Sequence, residues 1–212
     1  MKTELHTHTH PYSSCAVDSV ETILKAMIRA GYEAVYLTEH ERVWTHTELR
    51  LLQQTFPSIR IFPGVELSLD PAGSTHMLVL GTTDQEYIWL QYEPEAVLQK
   101  ARQENNLTVL CHPFRWTETP ELLKYGPLPD AMEYRTNNHQ GDMAQRALLA
   151  ARKRKLPLVN SGDIHAARSV NRFYLETEFP LEHPCDIRPI VMGGRYTLVP
   201  PEGAEPAPEG TA

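Results

Sequence analysis

Short apolar runs of strand length recur along this chain, and most are separated by segments with helical spacing. That alternation constrains the fold more than any other feature. Strands alternating with amphipathic helices build parallel βαβ units, because a crossover helix buries its apolar face against the sheet it has just left. Residues 3–8 read as the first strand. Residues 17–30 read as a helix, with Val20, Ile23, Leu24 and Met27 at helical spacing and Gly31 as its stop. A buried strand is expected at 34–38 and a helix at 47–55, ended by Pro57. Residues 59–62 and 65–69 form a strand region that Pro63-Gly64 is expected to break. Further strands are expected at 76–80, 107–111, 131–134, 158–160, 172–178 and 196–199, and helices at 93–105, 142–155 and 186–192. About seven strands in the βαβ series point to one α/β domain over residues 1–199, closed as a barrel rather than left as an open sheet. Residues 200–212 hold only Pro, Glu, Gly, Ala and Thr, a composition that buries no core and predicts a disordered tail.

The formal net charge is −7 over 212 residues. Such a chain repels polyanions at long range, which weighs against long nucleic acids and anionic lipid surfaces as partners. A small anion held by local positive charge remains compatible with it. Three cysteines, Cys15, Cys111 and Cys185, do not make a disulfide framework, so a reducing cytoplasm is the expected location. No apolar leader opens the sequence, and no run approaches the roughly 18 apolar residues of a membrane helix. Nothing in the residues indicates an oligomeric state.

Histidine is the composition's anomaly, with ten in the chain, and their positions matter more than their number. His6 and His8 are two apart on a strand and so project from the same face. His40 follows the strand at 34–38. Glu66 follows Pro63-Gly64, and His76 opens its strand. His112 follows the strand at 107–111, while Asp163 and His165 follow the strand at 158–160. Most of these stand just past the C-terminal end of a strand, where parallel barrels assemble their sites. Imidazole with carboxylate suits zinc, manganese or iron, and cysteine is too sparse for a structural zinc cluster. A lone histidine at a strand end is ordinarily a hydrogen-bonded surface or core residue. The joint pattern differs, because ionisable groups crowded on one rim are costly without a cation to relieve them.

Other polar residues carry less. His139, after a short strand, is a candidate substrate contact, and His10 is either a ligand or a pocket residue. His46 and His183 read as surface residues, and Cys111, Met27 and Met77 as packing. Trp44, Trp89 and Trp116 show no stacking pattern for nucleic acid.

The run at 5–15, Leu-His-Thr-His-Thr-His-Pro-Tyr-Ser-Ser-Cys, resembles the first motif of the polymerase and histidinol phosphatase (PHP) family. Thr38-Glu39-His40, Pro63-Gly64-Val65-Glu66, His112-Pro113 and Ser161-Gly162-Asp163-Ile164-His165 resemble the motifs that follow, in order. The resemblance implies a distorted (β/α)7 barrel with two or three divalent ions. It places His6, His8, Glu66 and Asp163 on a first ion. Glu66 would bridge to a second, completed by His76 and His112. His40 and His165 would hold a third, with a further ligand from the loop containing Cys15. Two positions depart from the family's pattern: Glu39, where it often has Asp, and Ser14-Cys15, where it often has an Asp or His ligand. The third site is therefore open between a weak, an empty and a thiolate-bound state.

The implied activity is hydrolysis of a small phosphorylated substrate by a hydroxide bridging two ions, with Asp163, Glu66 and His165 in the catalytic group. Arg115 and Arg168, each three residues past a site histidine, are the candidate phosphate contacts, since guanidinium offers a planar fork of donors. Two alternatives keep the metals: hydrolysis of C–N or C–O bonds, and a non-catalytic metal-binding domain.

Overall fold

The computed structural model describes residues 1–199, and the expected tail at 200–212 lies outside them. The strands are β1 (Lys2–Glu4), β2 (Ala34–Leu37), β3 (Arg60–Ser68), β4 (His76–Leu80), β5 (Leu107–Leu110), β6 (Ala131–Arg135), β7 (Leu158–Asn160), β8 (Tyr174–Thr177) and β9 (Tyr196–Val199). The helices are α1 (Val20–Arg29), α2 (His46–Thr55), α3 (Glu86–Trp89), α4 (Pro94–Gln103), α5 (Glu121–Lys124), α6 (Met143–Arg154) and α7 (Ile187–Met192). None of them is long and apolar enough to cross a membrane.

Local chemistry sets the helix starts. The Ser19 side chain accepts from the Thr22 amide to cap α1. Thr45 and Glu48 cap α2 reciprocally. The apolar stripe of α1, with Ile23, Leu24 and Met27, packs against Val35, Leu37 and Ile61 of the sheet. A larger cluster joins Val97 of α4 and Leu148 of α6 to Val79, Val109 and Met132. Full burial of side chains of this size contributes roughly 1.5–3 kcal/mol each.

The nine strands form one sheet in the order β7-β6-β5-β4-β3-β2-β1-β8-β9. β1, β2 and β3 are mutually parallel, as are β5, β6 and β7. Past the regular strands, Thr7 pairs in parallel with Ile164. The His8 amide donates to Ile164 O at 2.8 Å and the Ile164 amide to His6 O at 3.0 Å. The chain beyond β1 thus meets the chain beyond β7, closing the ring at the rim where the parallel strands end. At the opposite end β8 and β9 fill the gap: Tyr196 Oη donates to Leu158 O at 2.7 Å and Asn160 Nδ2 to Val199 O at 3.1 Å. The result is a nearly closed, barrel-shaped α/β sheet.

Three expectations are corrected. β4 runs antiparallel to both neighbours, and β8 and β9 are also antiparallel, so the barrel is not built from parallel units throughout. β3 runs unbroken through Pro63-Gly64. Pro63 still offers its carbonyl, which accepts from the Gly81 amide at 2.9 Å. Gly64 lets β3 lie close to its neighbours, because a Cβ there would stand 2.9 Å from Thr38 Cγ2. Finally, β1 ends at Glu4, so His6 and His8 lie on its irregular continuation rather than within it.

Candidate metal centre

Backbone pairing brings the candidate ligands together. The Glu66 amide donates to Glu39 O and the Glu41 amide to Glu66 O, both at 3.0 Å, which sets His40 beside Glu66 across the β2–β3 extension. His76 is the first residue of β4, and the reversed direction of that strand carries it to the same rim. His112 and Asp163 follow β5 and β7 at φ +22° and +46°. Non-glycine residues held in this left-handed region cost roughly 1–3 kcal/mol each and concentrate at functional sites.

The ring tautomers can be followed through their partners. His6 Nδ1 lies 2.8 Å from Glu133 Oε1 and donates to it, leaving Nε2 with its lone pair. His8 Nδ1 lies 3.2 Å from Ser13 Oγ, whose own hydrogen goes to Glu39 Oε2 at 2.6 Å. His8 therefore also turns an Nε2 lone pair inward. The two Nε2 atoms are 2.9 Å apart. Glu66 Oε2 stands 3.1 Å from His6 Nε2, 2.9 Å from His8 Nε2 and 3.2 Å from His40 Nδ1. It is fully buried, yet no donor meets it with hydrogen-bond geometry. Asp163 Oδ1, 3.5 Å from His6 Nε2 and 3.4 Å from His8 Nε2, is orphaned in the same way. Orphaned buried oxygens and facing lone pairs converge on a shared point, as ligand atoms do around a cation. The donor set of imidazole and carboxylate fits divalent transition metals.

The other Glu66 oxygen faces elsewhere. Oε1 lies 2.8 Å from His76 Nδ1 and 3.1 Å from His112 Nε2. One carboxylate thus divides five imidazoles into two groups, the arrangement a bridging ligand requires. A further group of His8, Cys15, His40 and His165 brings ligand atoms within 4.8 Å of one another.

The electrostatics follow from this crowding. Burial opposes ionisation of Glu66, but His6 and the hydrogen-bonding nitrogens of His112 and His76 outweigh it and hold its carboxyl well below the ordinary range. Asp163 is shifted the same way, by His6 and His8 against the cost of burial. Burial likewise opposes a charge on His8, yet Asp163 and Glu66 raise its pKa to about 9. His40 is pushed down to about 4, chiefly by burial.

Several residues outside the expected ligand set support the site. Glu133 of β6 is fully buried and accepts from His6 Nδ1, the His112 amide and Ser161 Oγ. A carboxylate between Met132 and Tyr134, within the strand expected at 131–134, was its only signal. Glu39 is also buried. It does not face the ligands but accepts from Thr9, Ser13 and Trp44, bracing the loop after His8. Asn138 Nδ2 donates to Asp163 Oδ2. Trp116 packs its indole 4.9 Å, centroid to centroid, from both His76 and His112.

The ligand groups floor a cleft of about 200 Å³ whose walls include Cys15, His165, Arg115 and Trp116. Arg115 is half-buried there, with its guanidinium 4.3 Å above the Trp116 ring. Arg168 is exposed on the short turn after β7 and is not among the residues lining this cleft. Both His139 ring nitrogens face backbone carbonyls, of Tyr134 on β6 at 2.9 Å and of Pro113 after β5 at 3.1 Å, and the residue is not among those lining the cleft. His10 is exposed. Cys111 is in the apolar core as expected, and its Sγ also lies within 4.8 Å of ligand atoms of His6 and Glu66.

No protein-family model matches the chain, and no curated protein sequence matches it. Solved structures do. A two-domain protein from Bacteroides vulgatus containing a predicted PHP-like metal-dependent phosphoesterase superposes with a TM-score of 0.67 at 16% identity, covering 95% of this chain and 65% of that one. The lesion-specific endonuclease PfuEndoQ from Pyrococcus furiosus gives 0.63 at 15% identity, covering 93% and 57%. An amidohydrolase from Chromobacterium violaceum, with bound sulfate and no metal, gives 0.60 at 14% identity, covering 93% and 98%. The chain thus spans less than two thirds of the first two proteins. At these identities the likeness shows the fold alone, and that fold is PHP-like.

Proposed function

We propose that this chain is a metal-dependent phosphoesterase that hydrolyses a small phosphorylated substrate. The observation that carries the reading is Glu66, whose two oxygens serve separate histidine groups while Asp163 closes one of them. His6, His8, Glu66 and Asp163 would hold one ion, Glu66, His76 and His112 a second, and His40, His165 and Cys15 a third. Bound divalent ions supply Lewis acidity to the phosphoryl oxygens and make water nucleophilic near neutral pH.

The chain's own residues do the rest. Arg115, on the cleft wall, is placed to grip a phosphoryl oxygen. Asn138 fixes one Asp163 oxygen and leaves the other toward the ligand cluster, where an ionised carboxylate can accept a hydrogen bond from a water and orient it. His165 lines the cleft, with its side chain 28% exposed, and can pass a proton on to solvent. Trp116 packs against the His112 ring.

The test is a panel of phosphate monoesters with protein loaded in turn with manganese, zinc and iron. Phosphate release that disappears with Asp163→Ala supports the reading. The fold likeness to an amidohydrolase favours one second reading, hydrolysis of C–N or C–O bonds on the same ions. Turnover of lactones or cyclic amides, with none of phosphate esters, would establish that alternative instead.

A further inference from the structure

The cleft of about 200 Å³ takes a phosphoryl group and little more, so the remainder of a substrate must lie outside it. Beside His76 and His112 the way out passes Trp116. Its indole packs against both imidazoles and carries the Arg115 guanidinium 4.3 Å above the ring, and the residue is still 48% exposed, so the ring surface away from Arg115 is open to another contact. Thr75 and Thr117, the chain neighbours of His76 and Trp116, wall a groove of about 610 Å³ whose lining also includes Leu69, Leu122 and Tyr125. That volume suits a small organic molecule.

The two compartments differ in charge. Arg115 and the ligand cluster make the cleft a place for a phosphoryl group. The groove carries Asp70, Glu95, Glu118 and Glu121 against Lys124 alone. Asp70 stays ionised because the amides of Ala72, Ser74 and Thr75 donate to it. A second phosphate or carboxylate in this groove would meet like charge.

From this geometry we infer that Trp116 and the adjoining groove hold the leaving-group half of the substrate, and that this half is a flat, ring-bearing alcohol that carries no negative charge. The inference rests on the phosphoesterase reading and deepens it: the preferred substrates are monophosphate esters of such alcohols, and bisphosphates are rejected. Ring stacking on an indole is specific to flat groups, so Trp116 would set selectivity and not only affinity.

The experiment compares 2-phenylethyl phosphate with ethyl phosphate, whose leaving alcohols have similar acidity. Both are measured on wild type, Trp116→Ala and Trp116→Phe, each checked for equal metal content. The kcat/KM ratio of phenylethyl to ethyl ester should fall about tenfold in Trp116→Ala and be largely restored in Trp116→Phe. An equal loss for both esters would overturn the proposal, since Trp116 would then only support His76 and His112. If neither ester is hydrolysed, the phosphoesterase reading fails by itself. Calorimetric binding of the same two esters to the metal-loaded proteins then decides this one. A phenylethyl preference of about tenfold that is lost in Trp116→Ala sustains it, and equal binding of both esters by wild type contradicts it.

Discussion

His6 and His8 point their Nε2 atoms at each other across 2.9 Å, and each is held in that pose from behind, His6 by Glu133 and His8 by Ser13. Two imidazoles so oriented repel unless a proton or a cation lies between them. The carboxylates that surround them leave Glu66 Oε2 and Asp163 Oδ1 without hydrogen-bond partners. The cluster is therefore built around a charge that its own side chains do not supply, and its properties should depend on what fills it.

Glu133 acts through His6. It fixes the ring tautomer and also holds the His112 amide and Ser161, so it positions two ligand-bearing segments at once. Removing such an outer partner typically costs 10–100-fold in metal affinity. Glu133→Ala should lose about that much in a competition titration against a chelating dye, with Glu133→Gln falling between it and wild type. Equal affinities in all three proteins would show that His6 needs no orienting partner.

Protons and metal ions compete for the same nitrogens, which gives pH opposite effects on the two forms. His8 has a folded pKa of about 9 against an ordinary value near 6.5, so its stabilising contribution without metal is complete below about pH 6.5 and is lost as pH rises through 9. Glu4, raised to about 8 by burial, acts in the same direction over its own lower window. The metal-free protein should lose Tm between pH 7 and 9.5. Metal affinity should rise over the same range as the imidazoles give up their protons. A metal-free Tm that climbs through this window would contradict the assignment.

Cys15 brings a soft ligand to a group otherwise made of imidazoles. Burial, with Glu66 and Asp163 adding to it, raises the thiol pKa to about 11, so a metal must displace the proton for the sulfur to bind. Cobalt-loaded wild type should show a near-ultraviolet thiolate charge-transfer band. Cys15→Ser should abolish the band and release about one ion per chain, while Cys111→Ser should keep it. A band that survives Cys15→Ser would place the thiolate elsewhere.

Arg115 and Arg168 looked equivalent by spacing, but only Arg115 lines the cleft. A hydrogen bond to a charged group is worth about 1.5–3 kcal/mol, so Arg115→Ala should lower kcat/KM roughly 10–100-fold, mainly through KM. Arg168→Ala should stay within about twofold of wild type on the same reasoning. Steady-state kinetics on the best ester of the panel would check both, and the reverse ranking would shift the phosphate contact to the turn after β7.

Much of this arrangement was legible in the residues. Strands at 158–160 and 196–199 are found at those bounds, and the positions of His40, His112, Asp163 and His165 past strand ends, with the paired spacing of His6 and His8, mark one rim. The direction of β4 could also have been read. Only seven residues, 69–75, separate it from β3, too few for a parallel crossover, and Asp70 gathers the amides of that turn. That reversal explains why His76 reaches the rim from the start of its strand. Glu133 and Trp116 were less visible, because each acquires its role only when distant strands close into a ring. His139 also stands after a strand, and its two ring nitrogens face the carbonyls of Tyr134 on β6 and Pro113 after β5.

The most direct test of the central claim is the metal-to-protein ratio of the chain purified without chelators and then supplied with manganese, zinc or iron. The comparison is a Glu66→Ala, Asp163→Ala double variant shown to be folded by circular dichroism. The account predicts about two or three ions per wild-type chain and the loss of most of them in the variant. A wild-type ratio near zero under all three metals, or a ratio unchanged in the folded variant, would contradict it.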